Sequence, residues 1–294
     1  MNLFHRLFRK NKENIDISIN DILLSVHPPL NTILLSINPD GLSTYLSDRN
    51  QAISWYHKKN FPLQDHLTDL GADWFYTMSC SAENDAVWKE AWSGFHFALE
   101  GYLHLNKKNK IADTCWHIGR SHSALGQYDL ASLFFDTGRL LSKENNEIEL
   151  FNRIILEQAV LAKLTQQNEK IKTAMNRMVE TFFPAGQPLP SAKSAALTLF
   201  KEGDKHQQWV DKNGKPVESS LIYASGFYEV SIELNRILKD KMGIAFILTN
   251  FGTLWNKLGK KERALNCWKE ALTNFTVIGD ENNIRRINQW IKEL

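Results

Sequence analysis

The sequence predicts an all-α protein built from paired amphipathic helices, and two observations carry this prediction. In residues 112–141, apolar side chains recur at helical spacing on both sides of Gly126. Glycine is the usual residue just past the end of a helix, so Gly126 is predicted to end the first helix of the pair. Only eight prolines interrupt 294 residues, which favours long regular elements.

The spacing of the first helix pair returns near the C-terminus, in residues 251–272. Gly252 and Gly259 are seven residues apart, as Gly119 and Gly126 are. Three further positions match in the same register: Ala131 with Ala264, Phe135 with Trp268, and Gly138 with Ala271. This pattern resembles the tetratricopeptide repeat, in which small and aromatic residues alternate in this way on a helix-turn-helix. The copies lie 133 residues apart, which is close to four repeats of about 34 residues.

The resemblance implies a right-handed α-α superhelix, that is, a solenoid of about nine to twelve main helices. A weaker copy of the pattern lies upstream, where Leu70-Gly71 opens a unit that Phe95 closes. Its two halves are farther apart than in the clear copies, so we expect a longer loop over residues 79–85. The pattern of apolar residues places further helices at 47–58, 85–105, 147–164, 169–183, 191–202, 219–240, 243–257 and 280–294.

Two parts of the chain depart from the repeat pattern. Residues 1–63 carry two strong turn signals and are predicted to form a small N-terminal helical cap, which leaves 64–294 as the repeat domain. Asn213-Gly214, between Trp209-Val210 and Val217, is typical of a short β-hairpin, and an irregular loop fits this segment equally well.

The resemblance also implies where a ligand would bind. Tetratricopeptide repeats contact ligands through first-helix positions around the Leu-Gly pair, on the concave face. Carried onto this sequence, the predicted ligand-binding residues are Trp116, Arg120, Ser123, Thr253, Asn256 and Lys257, with Asp113, Ala124, Phe246 and Thr249 at neighbouring positions. Spacings of four and seven residues place the first three on one helix face, which we expect to be exposed. Such a face fits an extended peptide with an acidic group, because arginine binds carboxylates through two parallel hydrogen bonds.

We therefore expect a non-catalytic scaffold or adaptor that binds a protein or peptide in its groove. Two alternatives stay open: a helical enzyme, either a nuclease or a metal-dependent hydrolase, and a regulator that senses a peptide and changes shape. Neither DNA binding nor a cofactor is expected.

No catalytic motif that is specific occurs in the sequence. Arg49-Asn50 with His57 resembles the motif of HEPN-type ribonucleases, but its spacing is longer than that family uses. Two pairs at i, i+4 would suit a metal, namely Glu100 with His104 and Asp113 with His117, yet the Glu-x-x-His spacing of di-iron bundles is absent. His122 lies on the apolar stripe and is predicted to be a hydrogen-bonded core histidine. We expect neither catalytic residues nor a metal site.

Charge and cysteine usage narrow the class of protein. Lys plus Arg number 35 and Asp plus Glu 33, which gives no general case for nucleic acid binding. The three cysteines lie far apart with no CxxC, as is typical of a reducing compartment, so we expect a cytoplasmic protein. No apolar run is long enough to cross a membrane. The basic, amphipathic residues 1–12 would suit a short membrane anchor, but we favour a frayed end or a helix docked on the body.

Overall fold

The computed structural model describes residues 40–59, 65–210 and 214–294, and this part of the chain is almost wholly helical. Residues 1–12, where the sequence left a membrane anchor as the less favoured alternative, and most of the predicted cap therefore lie outside the described residues. Within them the helices are α1 Gly41–Lys58, α2 Asp69–Asn84, α3 Trp88–His104, α4 Lys108–Ala124, α5 Tyr128–Glu144, α6 Ile148–Thr165, α7 Asn168–Phe182, α8 Pro190–Gln208, α9 Glu218–Leu238, α10 Lys241–Lys257, α11 Lys261–Ile278 and α12 Glu281–Glu293. No helix in this part of the chain is long and apolar enough to span a membrane.

The predicted all-α class is confirmed, and helices that follow one another in the chain pack on one another. The chain divides into two compact units. In the described residues, unit 1 comprises 40–59, 65–122 and 129–151, and unit 2 comprises 123–128, 152–210 and 214–294. In unit 1, α2 and α1 both pack on α3; in unit 2, α8 packs on α9, α9 on α10, α10 on α11 and α11 on α12. The predicted boundary between residues 63 and 64 and the handedness of the array stay predictions.

The register of the repeat is confirmed at its closest helix contacts. A Cβ added to Gly119 would lie 2.6 Å from the Phe135 ring, and one added to Gly252 would collide with the Trp268 indole. The two glycines therefore lie in equivalent contacts between the two helices of a pair, as the matched sequence positions predicted.

The predicted repeat length is wrong. Every turn from α2 to α7 contains a residue with positive φ, and these residues recur at intervals of 20: Ala86, Asn106, Gly126, Asn146 and Gln166. A helix with its turn thus takes 20 residues, and a helix pair takes 40. Between Gly126 and Gly259 the chain forms six helices, α5 to α10, so the clear copies are three pairs apart rather than four.

The upstream unit also differs from its prediction. No long loop separates its helices, because α2 continues to Asn84 and α3 begins at Trp88. Ser79, not Gly71, takes the place that Gly119 has one pair later, and its hydroxyl lies against Gly94 of α3. A small residue on either helix lets α2 and α3 approach as closely as the helices of the later pair. A pattern that searches for glycine alone therefore places this unit incorrectly.

Residues 209–217 form no β-hairpin in the part that the structure describes. A single antiparallel bridge joins Val210 and Pro216, and the Val217 N–H donates to the Trp209 carbonyl at 3.3 Å. Pro216 has no N–H to continue a ladder, which limits the pairing to this bridge. Residues 211–213 lie outside the description.

Candidate functional site

The first three predicted ligand-binding residues lie on α4, and all three are buried. Trp116, Arg120 and Ser123 are 8%, 8% and 2% exposed, so the expectation that they form an exposed face is wrong. The Arg120 guanidinium lies over the Trp116 ring, 5.0 Å from its centroid, and Arg120 Nε lies 3.2 Å from Glu83 Oε1. The guanidinium is thus held by a carboxylate of α2, which sequence spacing within α4 alone does not indicate. A role for the three residues in binding stays a prediction.

The polar contacts of Arg120 belong to a larger ladder between α2 and α4, which we call the α2–α4 ladder. Tyr76 and Glu83 contribute from α2, and Asp113, His117 and Arg120 from α4. The Tyr76 hydroxyl donates to Asp113 Oδ2 and lies 3.2 Å from His117 Nε2, while His117 Nδ1 lies 2.5 Å from Glu83 Oε2. Spacings of seven residues on α2 and of four and three on α4 place these groups along facing sides of the two helices.

Burial and charge make this ladder a preformed polar network. Burial and the neighbouring Asp113 carboxylate raise the pKa of the Tyr76 hydroxyl, which therefore stays protonated and donates. Burial also raises the pKa of the Cys80 thiol to about 11, so this cysteine is not an activated thiolate at neutral pH. Both carboxylates of the ladder have polar partners within it, which suits a structural role more than general acid–base catalysis.

The metal pairs considered from sequence do not assemble. Asp113 and His117 meet at Tyr76 as their spacing predicted, but Glu100 lies elsewhere and His104 is exposed. Glu100 Oε1 accepts from Arg49 Nε at 2.5 Å, and its Oε2 lies 2.9 Å from His66 Nε2. The buried Arg49 is therefore an ion-pair partner on the inner side of α1. His57 is exposed on the same helix, so the arginine and the histidine of the ribonuclease-like motif do not converge.

A second buried network surrounds the Asp48 carboxylate of α1. His96 Nε2 of α3 and His122 Nε2 of α4 each lie 2.8 Å from Asp48 Oδ2, and Trp92 Nε1 lies 3.2 Å from the same oxygen. His122 is thus the hydrogen-bonded core histidine that its sequence position predicted. Burial alone would raise the pKa of Asp48, but the hydrogen bonds from His122 and His96 outweigh it and lower the pKa well below its usual range. The sequence did not indicate Asp48, because its partners are 48 and 74 residues away.

The remaining predicted ligand-binding residues lie on α10 in unit 2. Asn256 and Lys257 are exposed, and Thr253 is half-buried, with its hydroxyl donating to the Thr249 carbonyl at 3.1 Å. Thr249 itself is buried and bonds to its own helix, whereas Phe246 is 41% exposed. The second group of predicted residues thus reaches solvent, unlike the first.

Searches among known proteins add no relative to this picture. No protein-family model matches the chain, and no curated protein matches its sequence. The helical-repeat architecture consequently rests on the packing and register described above.

Proposed function

We propose that the protein is a tetratricopeptide-like scaffold that binds a peptide or protein segment on the first-helix face of α10. This face consists of Phe246, Asn250, Thr253 and Lys257, with Asn256 beside it. Spacings of four, three and four residues bring the first four onto one side of the helix. The observation that carries the proposal is that this side combines an exposed aromatic residue with an exposed lysine.

The position of the α10 face within unit 2 supports a binding role. Lys257 Nζ lies 3.4 Å from the Gln207 carbonyl of α8, and Asn250 Nδ2 donates to Asp204 of the same helix at 3.1 Å. These contacts fix two positions of α10 beside the first helix of the preceding pair. An incoming segment would therefore meet a rigid surface, and little ordering would be needed on the protein side.

The chemistry of the α10 face defines the class of ligand. An exposed phenylalanine of this kind binds an apolar side chain, and the ammonium group of Lys257 about 11 residues along the helix attracts a carboxylate. An α-helix rises about 1.5 Å per residue, so the two anchors lie about 16 Å apart along its axis. This distance corresponds to about five residues of an extended peptide, with an apolar residue at one end and an acidic residue at the other.

A displayed library of random peptides tests this proposal. We expect the wild-type protein to enrich peptides with an apolar and an acidic residue about five positions apart. Phe246→Ala and Lys257→Glu should each weaken binding of the enriched peptides, by about tenfold or more, with the helical circular dichroism unchanged. Lys269→Glu is the matched control, because it makes the same charge change at an exposed position of α11.

Two results would contradict the proposal. If the selection enriches no common peptide, the α10 face does not bind a ligand of this class. Equal loss of binding in Lys257→Glu and Lys269→Glu would show that only net charge matters, and that the α10 face is not the site.

A further inference from the structure

The Asp48 network has the composition of a metal centre. We propose that Asp48, His96 and His122 form a zinc site that joins α1 to α3 and α4 within unit 1. Their candidate ligand atoms all lie within 4.8 Å of one another, and no other group of three or more such side chains occurs in the described residues. Two imidazoles and a carboxylate are a donor set that Zn²⁺ commonly takes in proteins.

The observed distances require only a small movement to admit the ion. Both histidine nitrogens lie 2.8 Å from Asp48 Oδ2. Ligands at 2.0–2.1 Å from a tetrahedral zinc ion are about 3.3 Å from one another, so each nitrogen would move away from the oxygen by about half an ångström. Both imidazoles already converge on the carboxylate oxygen that would share the ion with them.

Packing holds the two imidazole rings in this orientation. The His122 ring stacks on Phe134 with an interplanar angle of 20°, and the Trp92 indole meets both imidazoles edge-on. Trp92 Nε1 also donates to Asp48 Oδ2, as an outer partner that orients a ligating carboxylate does. The site is thus preorganised by aromatic contacts that do not depend on the ion.

Two buried polar atoms point to a ligand beyond the hydrogen-bonded network. His96 Nδ1 and the Tyr45 hydroxyl are buried and make no hydrogen bond within the part of the chain that the structure describes. When His96 Nε2 binds zinc, the ring proton lies on Nδ1. Tyr45 lies one helical turn before Asp48 on α1, with its ring centroid 6.0 Å from that of His96. A water molecule in the fourth zinc position would offer this hydroxyl a partner.

Such a site would act as a structural link and not as a catalytic centre. Both histidines are fully buried, so a substrate has no direct path to the ion. The ligands come from three helices and span 74 residues of the chain. Zinc would therefore bind as unit 1 folds and would add its binding free energy to the stability of that unit.

Cobalt titration of the full-length protein tests the site. The protein is prepared in metal-depleted medium, dialysed against a chelator and then against metal-free buffer. We expect one equivalent of Co²⁺ to produce the visible absorption of a four-coordinate ion, and one equivalent of Zn²⁺ to abolish it and raise the melting temperature. His122→Gln and His96→Gln should lose more affinity than the 10–100-fold that loss of an outer partner typically costs. His104→Gln is the control, because this histidine is exposed on α3 and should bind as wild type does.

X-ray absorption at the zinc edge keeps the test decisive if the glutamine variants do not fold. The wild-type protein should show two imidazoles and oxygen in the first shell, without sulfur. Sulfur scattering would assign the ion to a cysteine. If the wild-type protein does not take up one equivalent of either metal, Asp48, His96 and His122 form a hydrogen-bonded network and not a metal site. Wild-type affinity in folded His122→Gln would likewise overturn the proposal.

Discussion

At the scale of single residues, Glu100 shows how unit 1 tolerates buried charge. Its carboxylate is buried between Arg49 and His66, so all its strong partners come from other elements. Burial alone would raise the pKa of Glu100, but the hydrogen bond from His66 and the charge of Arg49 outweigh it and lower the pKa to about 2. A carboxyl group with this environment stabilises the fold only while it is ionised.

We predict from this pKa that unit 1 loses stability in acid. The carboxyl of Glu100 titrates near 4.5 when unfolded and near 2 when folded, so its contribution is complete above pH 4.5 and is lost as the pH falls towards 2. This difference corresponds to about 3 kcal/mol. Denaturant unfolding measured between pH 7 and pH 2.5 should show the decline.

Glu100→Gln is the variant that isolates this contribution. It should lower the free energy of unfolding at pH 7, since Arg49 then loses the buried carboxylate, and it should make the decline in acid shallower than in the wild type. An exposed carboxylate on α12, Glu293, provides the control, and Glu293→Gln should leave the profile unchanged. An acid profile of Glu100→Gln that parallels the wild type would exclude this carboxyl as the source.

At the scale of helices, small residues at the contacts determine how closely the two helices of a pair approach each other. The atoms nearest to a Cβ at Gly119 belong to the ring of Phe135, a side chain that can rotate. A Cβ at Gly101 of α3 would meet the His66 backbone carbonyl and lie 2.6 Å from the Ala72 Cβ of α2. A Cβ at Gly101 would thus collide with the backbone of His66 and with helix α2, and neither of them can move aside easily.

We therefore predict that the same substitution has different costs at the two glycines. Gly101→Ala should destabilise the protein by about 3 kcal/mol or more, and Gly119→Ala by about 1–2 kcal/mol, because overpacking costs more where the neighbours cannot move. Thermal unfolding of the two variants measures the difference directly. The reverse order would mean that Phe135 is held more rigidly than the α2–α3 crossing.

Sequence alone could predict most of the helices but not what joins them. Predicted ranges such as 85–105, 147–164 and 243–257 lie within a few residues of the observed helices, because each helix has an apolar stripe of its own. The 20-residue turn spacing was missed because only Gly126 among the five turn residues from α2 to α7 is a glycine. The start of α8 at Pro190 instead of Ser191 reflects proline's fit to the first helical turn.

The candidate site was harder to predict for a physical reason. Periodicity within α4 correctly placed Trp116 and Arg120 on one side of the helix, but burial depends on what packs there. Glu83 is 37 residues from Arg120 and lies on another helix, so the periodicity of α4 cannot indicate this contact. The α10 residues were placed better, since Lys257 and Asn256 lie near a helix end and remain exposed.

At the scale of the whole molecule, the two compact units should respond separately to damage in the α2–α4 ladder. Arg120→Glu would place a second carboxylate beside the buried Glu83 and remove the cation above Trp116. Breaking a buried ion pair by loss of one partner typically costs 3–5 kcal/mol. We expect faster hydrogen exchange throughout α2 and α3, whereas α10 and α11 of unit 2 keep their protection.

The control for this prediction is Arg285→Glu, which makes the same change at an exposed position of α12. It should alter stability by less than about 0.5 kcal/mol. Uniform loss of protection across both units in Arg120→Glu would show that the protein unfolds as a single cooperative body.

The partners of Asp48 also set an order of events during synthesis of the chain. Helix α1 leaves the ribosome before α3 and α4, and the second histidine that binds its carboxylate follows 74 residues later. At about 5–20 residues per second, this interval lasts about 4–15 s. During this interval the Asp48 carboxylate, which is buried in the folded protein, still lacks its second histidine partner. We therefore expect α1 to stay hydrated and undocked until α4 has emerged.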